Sequence, residues 1–447
     1  MSEIVSEKES RLYAWYVLVA MVVLYMLNVT DRYVASGLLE RIKESFEVSD
    51  TYMGFLIGPA FAFFYTILAI PIAVLADQYN RIRIICIGAV LWSFFTVLSG
   101  LAETPTVFAL SRIGVGVGEA AFLAPAFSLL SDYFPPRRRA LAFAILNFGV
   151  YLGQLTGMVG GAAIADALDW RWAFILLGAP GIFVAAIAYI TVKEPARGRM
   201  DTGGMIAADA DVWGALKKSV PSLMACKSYM YMVFGTICGG FAGYGFGIWA
   251  PTLFVRSFGL DLTEANSRYG FPSVVAGILG AVILGYLSDR LSAKNPQWPL
   301  VLSGYGLVAS GFFMMGISFA PSPEMATLLA IPAGLLGGGW VIGVQASLQD
   351  LLPSKMRATA TSLWAFSLTF SGLALGVQFA GFSIDYLETI ARSGQGDLAI
   401  LLNETIQHPI RLALFTVLLP VVPGCFFLIK ASRTISQDRE FLLDKTA

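Results

Sequence analysis

Four charged side chains interrupt what are otherwise long apolar runs: Asp31, Arg32, Arg112 and Glu119. A charge at bilayer depth costs at least about 2.5–3.5 kcal/mol on insertion scales, so such residues face a protein interior and usually have a task. A carboxylate among apolar side chains holds its proton more tightly, and a neighbouring guanidinium loosens it again. Asp31 and Glu119 are therefore the candidates for taking up and releasing a proton. Arginine keeps its own proton, and its planar fork of N–H donors suits phosphate or carboxylate. Arg112 and Arg32 are the candidates for holding an anionic substrate group. Arg32 follows Asp31 directly, so it points about 100° away around a helix. Snorkelling to the outer interface is as reasonable for it as binding.

Helices that cross a bilayer must position these residues. Apolar residues make up 57% of the 447-residue chain and charged residues 13%, about half the charged share of a soluble protein. No water-facing globule buries that much apolar surface, so the solvent is lipid. About 20 apolar residues span a hydrocarbon core. Eleven stretches without Asp, Glu, Lys or Arg reach that scale, and Thr104–Leu130, interrupted only by Arg112 and Glu119, is a twelfth. With the N-terminus inside, the cytoplasmic tails and loops hold 21 Lys and Arg and the outer loops 7. The positive-inside rule then places both termini in the cytoplasm, with the cell membrane as the expected location. The start MSEIVSEKES is acidic and polar, unlike the basic start of a signal peptide, so the first span is expected to be retained.

Depth follows from direction. Span one runs outward and places Asp31 about eight residues from its outer end. Span four runs inward and places Arg112 about eight residues past its start, so at about 1.5 Å per residue the two share a level. An Asp31–Arg112 ion pair is expected, with Arg112 turning to the substrate headgroup once Asp31 is protonated. Glu119 lies on the same face about 10.5 Å deeper, near the midplane and away from any adjacent counter-charge. Span seven contains G-G-F-A-G-Y-G-F-G-I-W-A-P, Gly239 to Pro251. A helix mixing Gly with large rings bends and can present Tyr244 and Trp249 to an acyl chain; an interfacial aromatic belt is the plain alternative. The run Gly114, Gly116, Gly118 lies mid-span with no strand before it, so close helix packing explains it better than a dinucleotide loop.

The longest cytoplasmic connection, about 193–227, divides the chain into an N-terminal half (1–192) and a C-terminal half (228–447), with a short amphipathic helix expected at Val212–Ser219. The halves repeat. A-V-L-A-D-Q-Y-N-R-I-R (Ala73 to Arg83) ends span two and G-Y-L-S-D-R (Gly285 to Arg290) ends span eight. S-D-Y-F-P-P-R-R-R-A-L-A follows span four and Q-D-L-L-P-S-K-M-R-A-T-A follows span ten. Aligned on their Asp residues, the pairs are offset by 212 and 218 in the same order. Asp77, Arg81, Arg83, Asp289 and Arg290 therefore sit at cytoplasmic helix ends, where a carboxylate can cap a helix and pair with loop arginines, and they are the candidate gating residues.

Duplicated six-span halves with acid-containing turns resemble the major facilitator superfamily. Residues around Asp77 are similar to its G-x-x-x-D-R-x-G-R-[RK] loop, with Ala73, Gln78, Asn80 and Ile82 departing from it. D-W-R-W-A-F (Asp169 to Phe174) and V-K-E-P-A-R-G (Val192 to Gly198) also match stretches common there. Gly149 to Gly161 resembles its antiporter motif, with Gln154 in place of the usual Pro. The resemblance implies an all-α polytopic membrane protein of twelve transmembrane helices in two pseudo-symmetric halves, which rock about a midplane site. L-N-V-T-D-R-Y (Leu27 to Tyr33), D-Q-Y-N-R (Asp77 to Arg81) and R-I-G-V-G-V-G-E-A (Arg112 to Ala120) are similar to the spinster family. Spinster-like proteins move lysolipids and sphingoid lipids. That resemblance implies proton coupling at Asp31 and Glu119 and substrate binding at Arg112.

Other classes fit poorly. One His and four scattered Cys do not make the common structural zinc sites or a disulfide framework. His408, before Pro409 in an outer loop, is expected to be an ordinary loop residue. There is no G-x-x-x-x-G-K for ATP, and balanced charge argues against nucleic acid. The sequence therefore reads as a monomeric carrier and not an enzyme, without cofactor or metal. Its partners are the bilayer, protons and an anionic amphiphilic lipid, with a proton-coupled carrier of small organic anions or drugs as the alternative.

Overall fold

The computed structural model describes residues 2–200, 220–352 and 354–444, which are helical with no strand among them. The helix expected at Val212–Ser219 lies outside the described residues. Twelve helices are long and apolar enough to cross a membrane: Leu12–Gly37, Asp50–Ala76, Arg81–Gly100, Pro105–Tyr133, Arg137–Ala167, Trp170–Thr191, Lys227–Phe258, Leu262–Ser292, Trp298–Ser318, Pro323–Leu351, Thr359–Ser393 and Pro409–Arg439. They are spans one to twelve below. A short helix, Leu39–Phe46, joins spans one and two.

Polar residues at the turns start these helices. The side chains of Ser49, Asn80, Thr104, Asp169, Asp261 and Ser322 each accept a hydrogen bond from a backbone N–H of the first turn, satisfying donors that no earlier carbonyl can reach. Five spans are interrupted, span twelve at Leu419–Pro420 between the helices Pro409–Leu418 and Val421–Asp444. Span two breaks at Gly58, before Pro59. Span four breaks just after Glu119, where the Ala121 and Phe122 N–H groups bond three residues back instead of four; Pro125, lacking an N–H, follows. Spans five and eleven each contain a π-helical turn, Thr156–Gly160 and Phe370–Gly376, the widened geometry that often marks functional helices.

The chain divides into two compact units. Unit 1 comprises residues 1–46 and 60–210, unit 2 residues 47–59 and 211–447. The division passes through span two at its Gly58–Pro59 break, so the first turns of that span belong with the C-terminal helices. In each unit one end of the bundle carries the chain terminus and a flank of the 193–227 connection. In unit 1 the Tyr13 hydroxyl accepts from the Lys193 N–H and donates to the Thr191 carbonyl. In unit 2 Asp438 accepts from the Ser228 N–H and hydroxyl. The opposite end is the far end.

Inside unit 1, small residues let helices touch. A Cβ on Gly153 or Gly157 would meet the Met26 or Thr30 carbonyl of span one, so the glycine run of span five is a packing face there. Phe46, Phe108, Trp170 and Phe174 form an edge-to-face cluster at the far end, with centroids 5.5–6.0 Å apart. Both units leave large apolar side chains on their surfaces: Phe183, Ile187 and Ile190 on unit 1, Val282, Tyr286 and Phe312 on unit 2. Such faces suit hydrocarbon, not water.

Candidate functional site

The four intramembrane charges gather in unit 1, but not in the pairing expected. Arg32 donates to Glu119 Oε2 from Nε at 3.2 Å and from Nη2 at 2.6 Å. Arg32 is thus turned inward toward Glu119, not snorkelled outward, and Glu119 has an adjacent counter-charge. Asp31 and Arg112 do meet at one level, yet Arg112 Nη1 donates to the Asp31 backbone carbonyl at 3.0 Å while both carboxylate oxygens of Asp31 lack a hydrogen-bond partner. The expected Asp31–Arg112 side-chain pair is therefore replaced by Arg32–Glu119.

The reason is the tilt of side chains on helices. Each Cα–Cβ bond leans toward its own helix N-terminus. Spans one and four run in opposite directions, so Arg32 leans toward the terminal end of unit 1 and Glu119 toward the far end. They converge across the gap in backbone depth. Asp31 and Arg112, level at the backbone, lean apart. Depth counted along the sequence gives the level of the Cα and misses this.

Rings complete the site. The Arg32 guanidinium lies 5.0 Å from the Phe61 centroid and 4.8 Å from that of Tyr65. These two rings of span two stack at 5.5 Å. Arg112 lies 5.5 Å from Phe61. Cation–π contact suits guanidinium groups with little access to water. Phe61 and Tyr65 were missed in the sequence; their four-residue spacing, one helix turn apart, was the available signal.

Burial is severe. Arg112 is fully buried, and Asp31 and Glu119 are 1% exposed. Nine buried polar atoms without a hydrogen-bond partner sit together on spans one, three and four: Asn28 Nδ2, both Asp31 oxygens, Trp92 Nε1, Ser93 Oγ, Thr96 Oγ1, Arg112 Nε and Nη2, and Glu119 Oε1. Each such atom costs about 1–3 kcal/mol. Stability alone does not select this set. Chemically it offers one paired carboxylate, one unpartnered carboxylate, and a guanidinium with donors to spare.

The candidate gating residues separate. Arg81, 1% exposed, donates to Asp132 Oδ2 and Glu194 Oε1, each at 2.6 Å, and to Ser128 Oγ at 3.0 Å. Asp132 also accepts from the Gly198 N–H, and Arg197 donates to the Ala76 and Tyr79 carbonyls. These contacts brace the terminal end of unit 1. Asp132 and Glu194 were legible only as motif letters, because their partner is set by how spans three and four pack. Arg83 is exposed, and its backbone N–H bonds Asn80. The Asp77 side chain lies outside the described residues. Asp289 and Arg290 are exposed at the end of span eight.

In unit 2, Tyr244 is partly exposed, its ring against Gly372. Trp249 is fully buried and donates to the Val377 carbonyl at 3.1 Å, so it packs within unit 2. The charged cluster of this unit lies at its far end. Arg256 grips Asp50 with two bonds of 2.7 and 2.8 Å and reaches Glu388 at 3.3 Å. Asp385 accepts from the Asp50 and Thr51 N–H groups, capping the first turn of span two. This cluster was not anticipated; its members run from Asp50 to Glu388 in the sequence and only packing joins them. His408, outside the spans, is pushed below its ordinary pKa by burial and by nearby Arg411.

Comparison with known proteins adds three findings. The family described as Major Facilitator Superfamily matches residues 21–377. Among curated relatives, an MFS-type efflux pump of Mycolicibacterium smegmatis is 28% identical over 79% of this chain and 80% of its own. Protein spinster homolog 1 of Xenopus tropicalis is 27% identical over 93% of this chain and 80% of its own. Among solved structures, a bacterial homolog of the human lysosomal transporter Spinster, inward-facing and unoccupied, is 28% identical with TM-score 0.83, covering 95% of this chain and 98% of that one. A D-xylose–proton symporter, 18% identical with TM-score 0.67 over 93% of this chain and 97% of its own, shares the fold.

Proposed function

This chain belongs to the major facilitator superfamily, and from that premise we propose that it is a proton-coupled carrier of an anionic amphiphilic lipid, a lysophospholipid or sphingoid phosphate, working by alternating access in the cell membrane with both termini cytoplasmic. The observation that carries the reading is the buried set in unit 1. Arg112 has unused donors beside an unpartnered Asp31, and Glu119 is neutralised by Arg32. An anionic headgroup entering beside Arg112 takes the donors that the protein leaves open. Its charge is then opposed by Asp31 and Glu119, so headgroup and carboxylate charge compete for two guanidinium groups. Protonating a carboxylate favours the headgroup, which couples the two movements without contact between them. Phe61 and Tyr65 supply apolar rings beside the charge. The lipid class rests on the spinster resemblance.

The efflux-pump relative supports a second reading, export of drug-like organic anions by the same charge set. Uptake into proteoliposomes tests both, using a panel of lysolipids and organic anions with and without a pH gradient. Gradient-driven movement of lysolipid alone is expected. Movement of organic anions alone selects the second reading, and movement indifferent to the gradient overturns proton coupling. Glu119→Gln is nearly isosteric and should abolish the gradient dependence while the protein still folds.

A further inference from the structure

Asp31 raises a question that the charge set does not answer: how a proton reaches a carboxylate that is 1% exposed. The groups around it suggest a route inside unit 1. On span three, Ser93, Thr96 and Ser99 recur every three residues, so they share one face. All three are fully buried, as is Ser111 of span four. Asn28, one turn before Asp31 on span one, is also buried.

Two contacts tie these groups together across the three spans. The Thr96 hydroxyl lies beside the Asp31 carboxylate, yet neither completes a direct hydrogen bond with a protein group. One turn farther along span three, the Ser99 and Ser111 hydroxyls meet at 2.8 Å. Ser111 immediately precedes Arg112, whose guanidinium holds the Asp31 carbonyl. In the other direction lie Ser93 Oγ and Trp92 Nε1, also without partners. On span six, a Cβ on Gly181 would collide with Ser93 Oγ, and one on Gly178 would press on Thr96. Ser99 is one residue from the far end of span three at Gly100, and exposed Glu103 follows. The charged groups facing Asp31 are Arg112 and Glu119 of span four, with Arg32 beside it on span one.

Buried polar groups find partners in protein or in ordered water, and such a water typically makes about three hydrogen bonds. Residues one helix turn apart have Cβ atoms about 5–6 Å apart, a gap that one water closes. We propose that this seam binds a short file of internal water, and that the file carries protons between Asp31 and the far-end surface of unit 1 by way of Thr96, Ser99 and Ser111. The proton passes hydroxyl to water to carboxylate, each oxygen giving up one O–H bond as it gains another, so no co-reactant is needed. Headgroup and proton then reach the site by different routes. The inference rests on the proposed proton coupling, and its test separates the two.

The full-length protein, reconstituted in lipid, is transferred into D2O, and deuteration of the Asp31 carboxyl is followed by infrared spectroscopy. The band is identified by its loss in Asp31→Asn. Thr96→Val keeps the shape and removes the hydroxyl, and should slow deuteration by about a hundredfold, the lower side of what a positioned proton-transfer group contributes. Thr96→Ser should restore the rate. The double variant Ser99→Ala, Ser111→Ala should also slow it, while lysolipid binding stays unchanged. Wild-type deuteration in both Thr96→Val and the double serine variant overturns the seam, whatever the transported substrate. Gradient-driven uptake surviving in Asp31→Asn and Glu119→Gln overturns the proton coupling instead, and leaves the deuteration rates to judge the seam.

Discussion

Two ion pairs in this protein have the same exposure and belong to different kinds of structure. Arg32–Glu119 in unit 1 and Arg256–Asp50 in unit 2 each join a 15% exposed arginine side chain to a carboxylate with no exposure. Around Arg256–Asp50 the surplus charge is absorbed: Glu388 takes a further arginine donor, and backbone N–H groups cap Asp385 beside it. Around Arg32–Glu119 it is not. Asp31 stands unpartnered, and two Arg112 nitrogens remain open. A buried ion pair is therefore no mark of function by itself, because desolvation cancels much of its attraction wherever it occurs. The unfinished bonding around a pair is the better sign.

Breaking the two arginines tests this most strongly. Arg32→Ala and Arg256→Ala each leave a buried carboxylate without its counter-charge, and each is expected to lower stability by about 3–5 kcal/mol in thermal or denaturant unfolding. The pairs should then part in function. Substrate binding should keep its pH dependence in Arg256→Ala and lose much of it in Arg32→Ala; equal loss in both would erase the distinction between them.

The next effect concerns the open donors. Arg112→Lys retains the charge and loses the fork, so affinity for an anionic lysolipid should fall about tenfold to a hundredfold, the range for hydrogen bonds to charged groups. Asp31→Asn removes the competing carboxylate, so binding should persist and flatten with pH. Titration calorimetry between acid and neutral pH measures both. Unaltered lysolipid affinity in Arg112→Ala would leave Arg112 with only its bond to the Asp31 carbonyl.

A smaller change is expected where bonding is complete. Arg81→Lys keeps one charge among Asp132, Glu194 and Ser128 but cannot serve all three, and should lower stability by about 1–3 kcal/mol without changing the pH dependence of binding. The smallest effect belongs to His408. Its pKa lies below the usual histidine value, so the imidazole is neutral in the folded protein at neutral pH, and any stability that it costs appears as the pH falls through the ordinary range. His408→Ala should leave the pH profile of transport unmoved. A shifted profile would give the imidazole a part in proton movement after all.

Much of the fold was legible in the sequence because hydrophobicity is additive along a chain. Twelve apolar stretches and the repeated turns announce themselves locally, and each was read without knowing its neighbours. The site was legible in part. Asp31, Arg32, Arg112 and Glu119 stand out because charge is rare among apolar residues, and their backbone levels follow from helix rise. Their partners were not legible. Whether Arg32 meets lipid headgroups or Glu119 depends on the opposite tilts of side chains on antiparallel helices. Asp50 meets Arg256, and Asp385 caps span two, only because the first turns of that span pack in unit 2. Trp249 fills the interior of unit 2 for a similar reason: a ring in a glycine-rich span can face either way, and only the neighbouring helices decide. Composition and periodicity thus determined which segments are helices and which residues bear buried charge. Contact between helices distant in sequence decided which charges are neutralised and which remain open, because pairing depends on side-chain direction and helix packing that no local stretch encodes.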